Sequence, residues 1–341
     1  MSKPPVSIVI VSYNSKRFIE KCLLSIFGQK YPNWELIAVI NGSADGSKEI
    51  IEQLTARRKK VHIIDPGKNL QFAAGNNLGI SKSEGEYVLA LNQDTVMEPD
   101  FLTKLVEEME ADKTLGAASG KLLHYKYDID SKTKIIDSTG IEISKTRKVF
   151  DRGQWEQDRG QYDEDTEIFG ASGAAALYRK SVLEEAKIPK SDGTFEYFDE
   201  NFTAYKEDVD LAWRFQLLGY GCRYVPGAVL YHGRTVGRSW PTQFIRFILN
   251  RRSQSREVRK LSFRNHYLTM LKNETAATFG RHFFMIFVRE LLLFIYTLLF
   301  EPFQAGAVAD FFSFYRDTLR KRKIVQSKIK ADTDKLLKLF H

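Results

Sequence analysis

The segment YVLALNQDTVMEP, at Tyr87–Pro99, passes abruptly from apolar residues to Asn92, Gln93 and Asp94. A carboxylate beside an amide oxygen suits a hard divalent cation, which prefers oxygen ligands and often shares its coordination shell with phosphates. The same residues would also suit a turn in which Asp94 caps the following helix. This segment alone therefore indicates either a metal site or a simple turn.

Two further segments carry groups that could do chemistry. Glu207, Asp208 and Asp210 form an acidic cluster at the head of an amphipathic, helix-like segment. The helix dipole stabilises such acids whatever their role, so the cluster is as consistent with helix stabilisation as with catalysis. His232 follows a short apolar run in GAVLYHG, where an imidazole could bind a metal, although a single histidine at such a place is more often structural. Neither segment assigns a reaction by itself.

The elements that would position these residues alternate between strand and helix. Short apolar runs rich in β-branched residues predict strands, and apolar residues at helical spacing predict helices. The predicted strands are Val6–Ser12, Leu36–Ile40, Val61–Ile64 and Tyr87–Leu91. The predicted helices are Lys16–Gln29, Ser47–Arg58 and Ala73–Ser81. Apolar strands separated by amphipathic helices indicate a parallel sheet covered on both faces, which binds ligands at the carboxyl ends of its strands. The segments SYN, NGSADGS and NQD fall at those ends.

Composition and charge limit the classes of protein to consider. The chain has 341 residues, of which 43% are hydrophobic, so it can bury a large core in one large domain or two ordinary ones. A formal charge of +8 suits nucleic acid, anionic lipid headgroups or phosphorylated substrates. Cys22 and Cys222 form neither a metal motif nor a disulfide framework, which indicates a reducing, cytoplasmic compartment. The N-terminal pattern predicts no signal peptide.

Motifs that would identify other binding proteins are missing from the sequence. No G-x-G-x-x-G follows the first predicted strand and no P-loop motif occurs. The sequence therefore lacks the main signal of a dinucleotide-binding protein or a P-loop nucleotide-binding protein. The basic, aromatic segment Arg246–Asn273 invites a nucleic-acid interpretation, but it has neither zinc-finger spacing nor an RNP motif. We therefore expect no nucleic-acid partner.

Seven segments together resemble family 2 glycosyltransferases, and among these the bacterial rhamnosyltransferases of cell-surface polysaccharide synthesis. They follow the family's order and approximate spacing over residues 5–235: SIVIVSYN, WELIAVINGSADGS, NLQFAAGNNLGI, YVLALNQDT, GASGAAALYRKSVL, FDENFTAYKEDVDLAWR and YHG. Each is weak alone, and their common order makes the resemblance specific. It implies an α/β GT-A fold with a mostly parallel central sheet flanked by helices over residues 1–240. Residues 241–341 would then form a helical C-terminal extension.

The resemblance also implies an inverting enzyme that transfers a sugar from a nucleoside diphosphate with Mg²⁺ or Mn²⁺ as cofactor. It assigns metal binding to Asp94 and His232, and the general base to Asp208, with Glu207 as the less favoured base. The residues that would contact the nucleotide sugar are Ser12, Tyr13, Asn14, Asn41, Ser43, Asp45, Phe72, Ala73, Asn77, Asn92 and Gln93.

The same resemblance predicts the substrates. The expected donor is dTDP-L-rhamnose, with a UDP-sugar such as UDP-galactofuranose or a UDP-hexose as the alternative, and the expected acceptor is a lipid-linked or growing cell-surface glycan. Ile40 stands where many relatives have a base-contacting Asp, and Asn92 replaces the first acid of the D-x-D motif. These departures leave open a non-catalytic carbohydrate-binding or scaffold protein on a degenerate GT-A fold. Retention of Asp94 and Asp208 favours the enzyme.

Two regions outside the motifs carry further expectations. The polar stretch between His124 and Phe169 predicts a loop-rich cover over the site, in which Trp155 would stack on a sugar or pack against the domain. The small residues of Gly170–Tyr178 predict a close-packed strand beneath the acceptor.

The apolar segment Phe283–Phe300 is interrupted by Arg289 and Glu290, which are costly in hydrocarbon and disfavour a spanning helix. Lys and Arg clusters at 251–264 and 316–330 predict instead an interfacial helix on the anionic inner face of the plasma membrane. The alternative is a helix buried against the catalytic domain or in a homodimer interface.

Overall fold

The structure is a computed structural model that describes residues 3–234 and 254–341. The first four strands along the chain form a parallel half of the central sheet: β1 (Val6–Ser12), β2 (Trp34–Ile40), β3 (Val61–Ile64) and β4 (Tyr87–Leu91). β1 pairs in parallel with both β2 and β4, and β3 extends the sheet beyond β2. The predicted strands and their parallel arrangement are confirmed.

The remaining strands complete the central sheet and two small hairpin-like sheets. The added strands of the central sheet are β5 (Thr95–Met97), β6 (Leu115–Lys126), β7 (Ser131–Ser138), β10 (Glu167–Ile168), β11 (Ala175–Arg179) and β14 (Gly221–His232). The small sheets pair β8 (Ile141–Ile143) with β9 (Val149–Asp151), and β12 (Ile188–Pro189) with β13 (Phe195–Glu196). Strand order in the central sheet is β10-β14-β6-β11-β4-β1-β2-β3, with β5 beside β14 and β7 beside β6. β11 runs antiparallel to both neighbours. It overlaps the C-terminal half of the segment predicted as a close-packed strand, Gly170–Tyr178.

The helices cover the sheet and form the C-terminal region. Their bounds are α1 (Ile19–Phe27), α2 (Ser47–Thr55), α3 (Gln71–Ser81), α4 (Phe101–Ala111), α5 (Lys180–Ala186), α6 (Glu207–Leu217), α7 (Arg256–Asn273), α8 (Ala276–Phe300), α9 (Ala305–Ser327) and α10 (Thr333–Lys338). Short 3₁₀ turns lie at Tyr127–Ile129, Glu200–Phe202 and Pro302–Gln304. The three helices predicted in the first half are confirmed, with ends that move by up to three residues because helix ends fray.

Alternation along the buried strands separates two cores. Ile8 of β1 and Leu89 of β4 face one core, which α1, α2 and α4 cover, whereas Val9 and Val88 face the other, which α3, α5 and α6 cover. This three-layer arrangement explains why β1 and β4 are apolar throughout, because both faces of each strand are buried. Their carboxyl ends are left as the accessible edge.

The polar stretch between 124 and 169 is not simply a loop. It contains β7, β8, β9 and β10, so the prediction of a loop-rich cover is wrong in part. Trp155 stacks on the His124 ring at a centroid distance of 4.0 Å, which confirms the alternative in which it packs against the domain. The alternating polar residues of β7 hid its strand character, because that strand pairs at the sheet edge with one face exposed.

The C-terminal helices pack behind α6. Trp213 of α6, Val325 of α9 and Phe340 share one buried cluster. Lys272 of α7, fully buried, forms ion pairs with Asp199 and Asp210, the latter at 2.8 Å. The predicted boundary between residues 240 and 241 lies outside the described residues, but the helices beyond it are joined to the first unit by buried charge pairs.

Helix α8 is longer and more exposed than the apolar segment predicts. Its 25 residues span about 37 Å at 1.5 Å per residue. This length, with a mean hydropathy of 2.1 over its most apolar 18-residue stretch, would suffice to cross a membrane. Only 11% of its most apolar stretch is buried in the protein. Burial of this helix against its own domain, one of the two alternatives, is therefore wrong for the described residues. Arg289 and Glu290 lie where α8 meets α7, because Glu290 accepts hydrogen bonds from Tyr267 and pairs with His266.

Candidate active site

Strand pairing brings Asp94 and His232 together. β14 pairs with β5 so that His232 stands opposite Thr95, the residue that follows Asp94. The His232 Nε2 atom lies 3.3 Å from Asp94 Oδ1. The other ring nitrogen, Nδ1, lies 2.8 Å from Oδ2 of Asp137, the penultimate residue of β7, which is fully buried. The two predicted metal ligands are thus adjacent, and a second carboxylate fixes the imidazole from behind.

The charges of these groups depend on one another. Burial alone would lower the pKa of His232, but the carboxylates of Asp94 and Asp137 outweigh it and raise that pKa to about 10. Burial would raise the pKa of Asp137, but Arg234 and His232 hold it at about 2. The raised pKa means that the imidazole holds its proton tightly beside Asp94. A cation bound there would have to replace that proton.

The residues present fit a divalent metal. A carboxylate oxygen suits both Mn²⁺ and Mg²⁺, whereas an imidazole nitrogen favours a transition metal such as Mn²⁺ over the harder Mg²⁺. The contact from Asp137 to His232 Nδ1 is the outer-shell hydrogen bond that usually orients a metal-binding histidine. In residues 3–234 and 254–341, no group of three or more His, Cys, Asp or Glu side chains is arranged around a common metal position. The phosphates of a bound nucleotide and water would have to supply the remaining ligands.

The acids at the start of α6 have different environments. Burial raises the pKa of Asp208, while the Gly173 N–H, 3.0 Å from its Oδ2, and the Val209 N–H, 2.8 Å from its Oδ1, favour the ionised form. Burial and the charge of Asp208 raise the pKa of Glu207 to about 8, so it is largely protonated at neutral pH. Asp208 is therefore the better candidate to accept a proton. A Cβ atom at Gly173 would lie 2.9 Å from Asp208 Oδ2, which explains the need for glycine there.

His232, the predicted metal ligand, and Asp208, the predicted base, face one cavity of about 510 Å³. His232 and Asn92 line it on the side of the strand ends, and Glu207 and Asp208 line it on the side of α6. Phe72 contributes an apolar wall. The cavity is the place where a diphosphate near His232 and an attacking group near Asp208 could meet.

The predicted donor residues at the ends of β1 and β2 contact one another. The Asn14 N–H donates to Ser43 Oγ at 3.1 Å, and Asn14 Oδ1 accepts from the Ala44 N–H at 3.0 Å. Asp45 Oδ2 accepts from the Lys16 N–H at 2.8 Å. These bonds join the two strand ends into one rim, as expected from a parallel sheet.

The end of β4 is tied to the same rim. Gln93 Oε1 accepts from the Tyr13 N–H at 2.7 Å, and Gln93 Nε2 donates to the Tyr13 carbonyl at 3.1 Å. Tyr13 is 45% exposed and is available to a ligand. Ser12 and Asn41 are buried, where Ser12 Oγ shares a 2.7 Å hydrogen bond with Ser15. They support the rim from below.

Two predicted donor residues on α3 do not reach the cavity. Asn77 is buried, and its Oδ1 accepts from the N–H groups of Tyr197 and Phe198 at 3.1 and 2.8 Å. Ala73 faces the core and is 1% exposed. Their positions on the buried face of α3 give them structural roles. Phe72 remains at the cavity.

Sequence reasoning missed three charged residues of the site. Asp137 and Asp151 come from the polar stretch, and Arg234 lies two residues after His232. Arg234 pairs with Asp137 at 3.3 Å and with Asp151 at 2.8 Å, and it lines the cavity. The segment IIDST, an apolar pair followed by an acid, was the one available signal for Asp137.

The loop before Asp208 has an unusual backbone. Thr203, Tyr205 and Lys206 have φ angles of 65°, 70° and 72°, which are rare for residues with side chains. Such conformations cost about 1–3 kcal/mol each and persist only where the surroundings hold them. The fully buried Asn265 of α7 holds this loop, because its Nδ2 lies within 2.9 Å of the carbonyl oxygens of Phe202, Ala204 and Tyr205. A residue of the C-terminal region thus positions the loop that carries the acids.

We expect Asn265→Ala to lower kcat by about tenfold or more while the affinity for the donor nucleotide stays near wild type, because a small displacement of a catalytic group is costly. Steady-state kinetics and nucleotide titration measure the two effects. Glu257→Ala, an exposed position on the same helix, is the control. A lower melting temperature with an unchanged kcat for the folded protein would show that Asn265 serves stability alone.

Comparison with known proteins gives a family and a fold. A family model described as Glycosyl transferase family 2 matches residues 7–186. The poly-beta-1,6-N-acetyl-D-glucosamine synthase of Staphylococcus epidermidis is 27% identical over 241 residues, which are 69% of this chain and 52% of that protein. The chain therefore spans about half the length of the curated relatives that it matches first.

Two solved structures have a similar fold. Mannosyltransferase PcManGT from Pyrobaculum calidifontis, in complex with GDP-Man and Mn²⁺, gives a TM-score of 0.52 at 14% identity and covers 96% of this chain and 86% of that chain. TarS 1-349 of S. aureus, in complex with UDP-GlcNAc, gives a TM-score of 0.55 at 16% identity and covers 95% and 90%. At identities this low, structural similarity shows the fold alone. It confirms the predicted GT-A fold with its C-terminal helices.

Proposed function

Because the chain belongs to glycosyl transferase family 2, we propose that it is an inverting, metal-dependent sugar transferase of cell-surface polysaccharide synthesis. The observation that carries this proposal is that His232 and Asp208 line the same cavity. A relative that synthesises poly-beta-1,6-N-acetyl-D-glucosamine supports a polysaccharide product. The non-catalytic alternative is disfavoured, since a scaffold would not need a metal-ligand pair and a hydrogen-bonded base on opposite sides of one cavity.

The reaction would use the two sides of the cavity differently. Mg²⁺ or Mn²⁺ held by Asp94 and His232 would neutralise the charge that develops on the leaving diphosphate. Asp208 would accept the proton of the acceptor hydroxyl as that oxygen bonds to the anomeric carbon from the opposite face. The bond from the anomeric carbon to the diphosphate would break with its electron pair on the leaving oxygen. Because the acceptor oxygen attacks from the opposite face, the configuration at the anomeric carbon would invert. The N–H groups of Gly173 and Val209 hold the Asp208 carboxylate in place for this step.

We propose dTDP-L-rhamnose as the donor, on the strength of the sequence resemblance, with a UDP-sugar as the second candidate. Ile40, at the position of the usual base-contacting acid, is 1% exposed and belongs to the core. The nucleobase must therefore be recognised by other groups, among which the exposed Tyr13 and the rim of Asn14 and Asp45 are nearest to the strand ends. A donor panel separates the candidates.

In that panel, we expect release of nucleoside diphosphate from dTDP-L-rhamnose in the presence of Mn²⁺ and much slower release from UDP-galactofuranose, UDP-glucose and GDP-mannose. Asp208→Asn, which should bind the donor but transfer its sugar slowly, is the matched control for nucleoside diphosphate released without sugar transfer. Preferred turnover of a UDP-sugar would overturn the rhamnose assignment and leave the enzyme class intact.

We also propose that the enzyme binds the inner face of the plasma membrane through α8. Its exposed apolar side chains include Phe284 at 75%, Leu292 at 62% and Leu298 at 66% exposure. The basic cluster at 316–330 contributes less than the sequence predicts, because Lys321 is buried in ion pairs with Glu196 and Asp199 at 2.5 and 2.6 Å. Hydrophobic insertion would therefore supply most of the binding.

We expect the protein to sediment with liposomes that contain anionic phospholipid, and this binding should fall only modestly with salt. The double variant Phe284→Glu, Leu298→Glu should lose most of it, since two charges would enter the apolar layer. Ile129→Glu, at a position 69% exposed on another surface, is the control. If the wild type instead forms a dimer that the double variant dissociates, and neither protein binds liposomes, α8 is a dimer interface.

A further inference from the structure

A second cavity of about 580 Å³ lies beside the active-site cavity. The two share Phe150, Asp151 and Lys206 among their lining residues, so they meet next to the loop that carries Asp208. The far wall of the second cavity is formed by α7 and α8, through Phe263 and Leu293 among others. It therefore extends from the proposed base towards the exposed apolar helix.

Three cations line this second cavity without full compensation. Lys148, Lys206 and Arg289 belong to its wall. In the described part of the chain, neither Lys148 nor Lys206 forms an ion pair with a carboxylate, although the charges of Asp208 and Glu290 favour the ammonium form of Lys206. The remaining segment, 235–253, contains neither Asp nor Glu and cannot supply one. Arg289 pairs with its neighbour Glu290.

The acids on the same wall are occupied by other partners. Arg152 pairs with Asp165 at 3.1 Å and with Glu142 at 3.6 Å. Arg234 pairs with Asp151 at 2.8 Å. Glu156 accepts a hydrogen bond from the Tyr162 hydroxyl at 3.0 Å. Among the described residues, Lys148 and Lys206 are thus the cations of this wall that no ion pair neutralises, although Asp208 and Glu290 partly offset the charge of Lys206.

Their protonation states show the same imbalance. Burial and the positive charge of Arg289 lower the pKa of Lys206 to about 8, and the same two causes lower the pKa of Lys148. Cations that destabilise one another in a partly buried space are stabilised when an anion binds between them. Two ammonium groups and a guanidinium suit the oxygens of a phosphate or diphosphate.

We propose that the second cavity binds the phosphate or diphosphate group of a lipid-linked acceptor, with Lys148, Lys206 and Arg289 as its anion contacts. This assignment rests on the proposed function, because it places the acceptor sugar beyond Lys206, at Asp208. The apolar surface of α8 beside Arg289 favours a phosphate that is attached to a lipid over a free phosphate. Since Lys206 immediately precedes the acids, binding of the anion would also order the loop of the proposed base.

The test measures binding of two probes in EDTA, where a metal-dependent donor site is silent: farnesyl diphosphate and inorganic pyrophosphate. By titration calorimetry, we expect the full chain to bind farnesyl diphosphate, and Lys148→Gln and Lys206→Gln each to weaken that binding by about tenfold, as for a lost charged hydrogen bond. Lys145→Gln, an exposed lysine near Lys148, is the matched control and should bind like wild type. Pyrophosphate should bind much more weakly than farnesyl diphosphate.

Equal binding of the two probes would overturn the lipid assignment, and unchanged farnesyl diphosphate binding in both lysine variants would overturn the anion site. Nucleoside diphosphate binding with Mn²⁺, measured on the same Lys148→Gln protein, should equal that of wild type. If wild type binds farnesyl diphosphate but no nucleoside diphosphate, the proposed function fails while the anion site stands.

Discussion

Asp208→Asn should slow sugar transfer by about 10²-fold or more while the affinities for metal and donor stay near wild type, because only the proton acceptor is lost. The amide keeps the size of the carboxylate, and its one oxygen can accept only one of the two hydrogen bonds that the Gly173 and Val209 N–H groups donate to Asp208 Oδ2 and Oδ1. The loop before Asp208 should nevertheless keep its conformation, because Asn265 holds it through the carbonyl oxygens of Phe202, Ala204 and Tyr205. Steady-state kinetics with the preferred donor, together with nucleotide titration, measures both quantities.

Glu207→Gln is the matched control for this prediction. Glu207 is largely protonated at neutral pH, so replacement by a neutral amide should change kcat far less than Asp208→Asn does. An inactive Glu207→Gln beside an active Asp208→Asn would move the base by one residue. Loss of donor binding in Asp208→Asn would point to structural damage instead.

Asp94→Ala should abolish turnover, since it removes the carboxylate ligand of the proposed metal and leaves His232 with one charged neighbour in place of two. Wild-type activity should disappear in EDTA and return with Mn²⁺ or Mg²⁺. Asp100→Ala, an exposed acid that pairs with Lys30, controls for the loss of a charge. Activity of Asp94→Ala, or of wild type in EDTA, would remove the metal from the mechanism.

The sequence predicted the half of the site that depends on strand ends. The carboxyl ends of β1, β2 and β4 must meet at one edge of a parallel sheet, so Asn14, Ser43 and Gln93 could be placed together from their order alone. The rotational position of residues around a helix is harder to predict from the sequence. Ala73 and Asn77 follow a motif, but the buried face of α3 turns them away from the cavity.

The other half of the site depends on contacts between distant segments. Asp137 reaches His232 because β7 pairs with β6, and β14 returns on the other side of β6. The hold of Asn265 on the loop at 202–205 joins residues about sixty positions apart. No local pattern signals pairings of this kind.

The number of basic residues was also a poor guide to the surface charge of the C-terminal region. Lys321 and Lys272 add to the basic character of the sequence, yet both are buried against Asp199. Because α7 supplies Asn265 and Lys272, we propose that the catalytic unit extends beyond residue 240 into the C-terminal helices. Removal of these helices would then impair transfer to soluble as well as lipid-linked acceptors, not membrane binding alone.

The separate roles of Asp94 and Asp208 are tested most directly by titrating the nucleoside diphosphate of the preferred donor into three proteins, with and without Mn²⁺. We predict metal-dependent binding to wild type and to Asp208→Asn with similar affinity, and loss of that binding in Asp94→Ala. Equal binding by all three proteins, or binding by wild type that needs no metal, would contradict a metal-assisted transferase with Asp94 on the donor side and Asp208 on the acceptor side.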